Sequence, residues 1–148
     1  MLKIKEYTPE SGIPAEEKEK LIDFLYKHLD QFGDPKEDIT RCVDFAMKEF
    51  DSFGGYVLMG YIDEQLAGAV VVNKTGMKGY IPENILVYIA VHRDFRGKGL
   101  GRQLMKKTHQ MADGTMKLHV EPDNPARYLY EKVGYTNKYL EMRWTGDK

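Results

Sequence analysis

Ile85-Leu86-Val87-Tyr88-Ile89-Ala90-Val91 is followed, after His92-Arg93-Asp94-Phe95, by Arg96-Gly97-Lys98-Gly99-Leu100-Gly101-Arg102, and this stretch decides the fold. Its first seven residues carry no charge and are dominated by Ile, Val, Leu and Tyr, the composition of a central strand covered on both faces. Beyond the glycines, Leu100, Leu104, Thr108 and Met111 recur at helical spacing. The order is therefore strand, glycine-rich turn, helix. Glycine lets backbone N–H groups turn outward and lets a ligand come close. A helix that starts there presents unpaired N–H groups and the positive end of its dipole, and the combination suits phosphate oxygens. Arg96, Lys98 and Arg102 add positive charge at the same place. A tight turn could need glycine for its backbone angles alone. Three glycines in five residues, with basic flanks between a strand and a helix, point instead to an anion site.

Two common phosphate patterns do not fit. In the dinucleotide pattern Gly-x-Gly-x-x-Gly the third glycine would come one residue later, and no ribose-binding acid is obvious about 20 residues on. The Walker pattern needs Ser or Thr after Gly-Lys, where Gly99 stands.

Outward from the turn, the chain alternates short apolar patterns. Upstream, Tyr56 to Ile62 and Gln65 to Asn73 read as strands, and the Asp63-Glu64 link makes them a hairpin. Before Gly54-Gly55, two helical stripes stand on either side of Gly33-Asp34-Pro35. The first is Leu21, Ile22, Leu25, Tyr26 and Leu29; the second is Ile39, Cys42, Val43, Ala46, Met47 and Phe50. Leu2, Ile4 and Glu6 alternate with Lys3, Lys5 and Tyr7 as a short opening strand. Downstream, Asp113-Gly114 stops the helix, and Met116, Leu118 and Val120 alternate as a strand. Asn124-Pro125 then starts a helix with Ala126, Leu129, Tyr130 and Val133 as its buried stripe and Gly134 as its cap. Tyr139 to Trp144 reads as a last strand. This is a mixed α/β pattern with a right-handed strand–helix–strand crossover expected between Ile85 and Val120.

The bulk properties set the frame. The 148 residues make one ordinary domain, expected to span 1–148, and 42% hydrophobic residues are enough for one core. A net charge of −1 gives no reason to expect nucleic-acid or anionic-membrane partners. The single cysteine, Cys42, can form no internal disulfide and suits a reducing cytosol. No apolar run approaches the roughly 20 residues of a membrane span, and the first residues are too polar and alternating for a signal peptide. A cytoplasmic location is expected.

The glycine-rich turn resembles the pyrophosphate-binding motif of the GNAT superfamily N-acetyltransferases: Arg or Gln, two residues, Gly, one residue, Gly or Ala. Arg96, Gly99 and Gly101 fill its three positions, and Tyr88 to Phe95 looks like the family's strand and lead-in. A second resemblance lies in Asn124-Pro125-Ala126-Arg127-Tyr128-Leu129-Tyr130-Glu131-Lys132-Val133-Gly134-Tyr135. The resemblance covers roughly Tyr56 to Trp144. It implies an α/β fold with a mixed, mostly antiparallel central sheet, a splayed parallel pair and about four flanking helices. It implies acetyl-CoA as acetyl donor and no metal. The pyrophosphate would lie on Arg96, Gly97, Lys98, Gly99, Leu100, Gly101 and Arg102, with Asn124 and Tyr130 also near the cofactor. The pantetheine arm would lie along Ile89, Ala90 and Val91, held by strand-like bonds from Ile89 and Val91. The Val91 N–H would then polarise the thioester carbonyl, an oxyanion-type contact.

The implied reaction is direct transfer of acetyl to a primary amine of a small molecule or peptide. A lysine-like amine has a pKa of about 10.4 and is mostly protonated at neutral pH, so a base is needed. Glu83, at the start of the central strand, is the candidate, and Tyr88 and Tyr61 could instead order a water chain. Tyr130 holds the position where the family places its general-acid tyrosine. His92, His109 and His119 lack metal-ligand spacing and read as surface or turn histidines. Cys42 reads as packing. Between Asp30 and Asp51 there are seven acids against three bases. That excess could attract a cationic amine, and a solvated helix face explains it as well. The alternative function is an acyl-CoA-binding sensor that keeps the fold without catalysis. The chain could be a monomer or a homodimer, the latter through the strand around Trp144.

Overall fold

Pro14 opens α1 (Ala15–His28), whose first turn carries Glu16 and Glu17 and whose last carries Lys27 and His28, matching the helix dipole. Leu21, Phe24, Leu25 and His28 recur at helical spacing and form the buried face; Tyr26 faces solvent. A 3-10 turn over Asp30–Phe32 leads to Pro35 and α2 (Lys36–Met47). The buried face of α2 is Ile39, Val43, Ala46 and Met47.

The computed structural model of the protein describes residues 1–146; Asp147 and Lys148, the end of the expected domain, lie outside the described residues. Its sheet runs in the order β1 (Lys3–Tyr7), β2 (Gly55–Ile62), β3 (Gln65–Lys74), β4 (Asn84–Val91), β5 (Met116–Leu118). The first three pairings are antiparallel and β4–β5 is parallel. The mixed sheet and its four helices are the expected architecture. α3 (Leu100–Met111) is the crossover from β4 to β5, and α4 (Ala126–Lys132) follows β5. β2 and β3 are buried almost throughout because both faces are covered. Val57, Met59, Ala69 and Val71 pack with α1 and α2, while Tyr56, Leu58, Val70 and Val72 pack with α3 and α4.

The β2–β3 hairpin closes through Asp63 and Glu64, both with left-handed backbone at φ 48° and 68°. A two-residue hairpin turn favours this geometry, but a side chain there is strained and glycine is not. Glu64→Gly should relieve about 1 kcal/mol and raise Tm by about 2–4 °C. A thermal melt checks this, and an unchanged or lowered Tm would contradict it.

The expected last strand is not formed. Residues 139–144 belong to no helix or strand, and Tyr139, Leu140, Met142 and Trp144 are exposed. The physical reason is the shortness of β5. Three residues offer too few ladder bonds to offset the ordering of a six-residue strand at about 1–2 kcal/mol per residue.

Candidate functional site

The glycine-rich turn has the geometry an anion needs. Gly97 and Gly99 adopt φ of +79° and +81°, and a Cβ on either would meet nothing within 4 Å, so the turn opens to solvent. Gly99 precedes the first residue of α3 without any side-chain cap. Arg96 N–H bonds to Arg93 and Gln103 N–H to Gly99. Between them, no backbone N–H of residues 97–102 donates to the protein among the described residues. Gly101 serves packing instead: a Cβ there would stand 3.0 Å from Leu129 of α4. The Leu100 side chain is in the core, so only its amide is on offer. Lys98, whose ammonium lies 5.5 Å from the Phe95 ring centroid, and exposed Arg102 have no acidic partner among the described residues.

The strand that feeds this turn is reshaped by a bulge. Val72 of β3 stands opposite Leu86, but Val71 stands opposite Tyr88, so Val87 is an extra residue. Leu86 packs on the α3/α4 side, Val87 and Tyr88 both on the α1/α2 side, and Ile89 again on the α3/α4 side. Main-chain direction changes as well. Before the bulge, the Asn84 N–H reaches Thr115, on the β5 side; after it, the His92 N–H reaches Ala67, on the β3 side. In an antiparallel pair alternate residues face the partner. Counting back from His92, Ala90 and Tyr88 face β3, and Val91 and Ile89 face the other way. The β5 ladder ends at Leu86–Leu118, so Ile89 and Val91 border a gap where the parallel pair separates. Ala90, expected beside them, presents its main chain to β3 and its side chain to the α1/α2 core.

Arg96 differs from expectation. Its Nε donates to the Val91 carbonyl at 3.0 Å, Nη2 to the His28 carbonyl at 2.8 Å, and Nη1 to Asp30 Oδ2 at 3.3 Å. The guanidinium therefore locks the end of α1 to the end of β4 rather than reaching for phosphate. It also satisfies the Val91 carbonyl and leaves the Val91 N–H as the open group. Arg93 donates to Asp30 Oδ1 at 2.6 Å, and the two arginines, Arg93 first, hold the Asp30 carboxyl below the usual carboxylate range.

Beneath them His28 is buried, with its ring 4.2 Å from that of His92. Its Nδ1 accepts from the Arg93 N–H, and His92 Nδ1 accepts from the Asp94 N–H, so His92 is indeed a turn histidine. Burial, and then electrostatic coupling to the His92 ring and the positive charge of Lys27, Arg93 and Arg96, pushes the His28 imidazole down to about 4. Unfolded histidine titrates near 6.5, so the unfolded chain binds more protons between these values, and stability falls as pH drops through that window. Urea unfolding at about pH 7 and about pH 5 should show wild type losing on the order of 2 kcal/mol that His28→Gln does not lose. Equal losses would place the titration elsewhere.

Tyr130 lies on α4 in the core beneath the turn, close to Tyr135 at 6.1 Å between ring centroids. Burial, with smaller effects of Tyr135 and Glu121, raises its phenol to about 12, so it keeps its proton at neutral pH. Its hydroxyl has no protein partner among the described residues. Asn124 uses its Oδ1 to cap α4, accepting from the Ala126 N–H at 2.9 Å. Cys42 is half-buried against the α1/α2 core, its thiol pushed up to about 12 by burial, a packing group as expected.

Glu83 is not at this site. It precedes β4 at the end away from the glycines, eight residues from Val91, which is about 26 Å of strand. Its Oε1 accepts from the Thr115 N–H and hydroxyl, both at 3.0 Å, and these bonds hold the carboxyl below its ordinary value. It pins the chain entering β5 to β4. Conversely, His28, Asp30 and Asp34 come to the site without any local motif. Their partners on and beyond β4 lie 54 to 68 residues away in sequence.

Among the described residues, no helix is long and apolar enough to cross a membrane, and no group of three metal-ligating side chains occurs. The family model described as "Acetyltransferase (GNAT) domain" matches residues 54–137. No curated protein matches the sequence. Among solved structures, the chain resembles a GNAT family acetyltransferase of Streptococcus pneumoniae TIGR4 at 15% identity, with 100% of both chains covered and a TM-score of 0.68. A ribosomal-protein-alanine N-acetyltransferase of Brucella melitensis biovar Abortus 2308 aligns at 17% identity, over 99% of this chain and 100% of that one, with a TM-score of 0.63. An aminoglycoside acetyltransferase from an uncultured soil metagenomic sample aligns at 16% identity, over 99% and 97%, with a TM-score of 0.67. At these identities the structural likeness speaks for the fold alone, but the family match covers more than half of the sequence, and the chain belongs to the GNAT acetyltransferases.

Proposed function

We propose that the protein transfers acetyl from acetyl-CoA to a primary amine by direct attack. The observation that carries this reading is the run of unbonded amides at 97–102, at the end of a strand whose Ile89 and Val91 main chain borders a gap. A pyrophosphate on a helix N-terminus and an extended pantetheine arm along an open strand edge are what such groups can hold. Acetyl-CoA would supply an acetyl group activated as a thioester. The amides of residues 97–102, helped by Lys98 and Arg102, would take the phosphates. The Val91 N–H, its own carbonyl satisfied by Arg96, would polarise the acetyl oxygen, a contact of a type that contributes several kcal/mol. Tyr130, protonated at neutral pH, would give a proton to the departing sulfur. The names of two structural neighbours specify an aminoglycoside and a ribosomal-protein alanine as acceptors, which supports an amine acceptor here.

Calorimetry with coenzyme A, followed by thiol release from acetyl-CoA across polyamines, amino acids and basic peptides, tests the reading. Absence of coenzyme A binding sinks it. Binding without thiol release would favour the sensor instead.

A further inference from the structure

We propose that Asp34, oriented by the Tyr88 hydroxyl, takes the proton from the acceptor amine; the inference rests on the acetyl-transfer reading above. The corner between α1 and α2 lies across β4 and is fastened to it at two places. Near the glycine turn, Arg93 and Arg96 hold Asp30 and the His28 carbonyl. Further back, the Tyr88 hydroxyl donates to Asp34 Oδ2 at 2.5 Å. The stretch between these fastenings contains Ile89 and Val91, whose main chain borders the gap. Asp34 thus stands on the α1/α2 side of the strand segment assigned to the acetyl group, and Tyr130 stands on the α3/α4 side. A base on one face and an acid on the other keep the proton taken from the amine apart from the proton given to sulfur.

At the Val87 bulge Val87 and Tyr88 share this face; unbroken alternation from Leu86 through Val87 would turn the Tyr88 side chain toward α3. Its ring is buried, and burial followed by the Asp34 carboxylate raises the phenol, so the hydroxyl remains a donor. Asp34 is exposed, and its Oδ1 has no protein partner among the described residues. The charges that follow Asp34 on α2 are already matched: Lys36 bonds Asp23 and Arg41 bonds Asp38. The other titratable groups near the hydroxyl are Asp38 and the neutral Cys42 on α2. Asp34 has no basic partner among the described residues, so an ammonium can meet an open carboxylate oxygen whose other oxygen is fixed.

The step balances. One N–H bond of the acceptor ammonium breaks and its proton goes to Asp34 Oδ1. The freed lone pair forms the C–N bond to the acetyl carbon, and the C–S bond breaks with its electron pair on sulfur. Sulfur takes a proton from Tyr130, which is restored by the excess proton of the new nitrogen through solvent. Asp34 then releases its proton to water, one per acetyl transferred.

The test compares wild type, Asp34→Asn and Tyr88→Phe in thiol release from acetyl-CoA, with propylamine and with trifluoroethylamine, whose amine is already neutral at pH 7. Asp34→Asn should lower kcat for propylamine about 10²-fold and leave trifluoroethylamine within about threefold. Tyr88→Phe should lower kcat for propylamine about tenfold with the same split between amines. Coenzyme A affinity in calorimetry should stay within about twofold for both variants. Equal deficits on the two amines, no deficit, or a change confined to the KM for propylamine would overturn the proton role while leaving acetyl transfer intact. Wild type that binds coenzyme A but releases no thiol with any primary amine would overturn the transfer reading and this inference together.

Discussion

Gly99→Glu is expected to abolish coenzyme A binding, raising Kd by at least about 10³-fold, a loss of roughly 4 kcal/mol. The substitution is sterically permitted, because a Cβ at Gly99 meets nothing within 4 Å. Its effect comes from elsewhere. The φ of +81° costs a side chain about 1–2 kcal/mol. More important, the carboxylate would sit at the N-terminus of α3, where it would compete with phosphate for the free amides and repel it. The same placement favours the unliganded protein by about 0.3–1 kcal/mol, so global stability should change little. Gly99→Ala separates the two causes, since it carries the backbone strain without the charge and should weaken binding by no more than about tenfold. Calorimetry on both variants, with a thermal melt as control, checks this. Retained binding in Gly99→Glu would remove the pyrophosphate from the turn.

Tyr130→Phe should lower kcat about 10³-fold and leave coenzyme A affinity within about twofold. Burial raises the phenol to about 12, so it is a protonated donor at neutral pH and matches the need of a departing thiolate. The hydroxyl has no protein partner among the described residues, so its removal breaks no internal bond, and the buried ring is retained. Thiol release and calorimetry on the same preparation separate turnover from binding. Unchanged turnover would exclude Tyr130 from proton transfer.

The mechanism could not be read from the sequence in full, and the failures have physical causes. Glu83 has the right chemistry and stands at the head of the right strand, but a strand carries its two ends about 26 Å apart here, and Thr115 holds the carboxyl at the wrong one. Arg96 fills a motif position, yet a guanidinium satisfies whichever acceptors surround it, and His28, Asp30 and Val91 do so first. The tail from 139 to 144 alternates like a strand, but alternation expresses a face to be buried and cannot create the neighbour that buries it.

Local chemistry sufficed wherever the controlling interactions are close in sequence. The uncharged run of β4, the glycines with left-handed backbone at its exit, the amphipathic stripes of the helices and the Asn124 cap each depend on a handful of adjacent residues, so the amino-acid order alone determined the α/β architecture and the open glycine turn. The bulge at Val87, the end of the β4–β5 ladder at Leu86 and the meeting of Asp34 with Tyr88 were decided only by the packed molecule. Each depends on which strand or helix stands alongside, and the partners (Val71 with Tyr88, Leu86 with Leu118, Asp34 with Tyr88) lie 17, 32 and 54 residues apart, where no local spacing rule can reach.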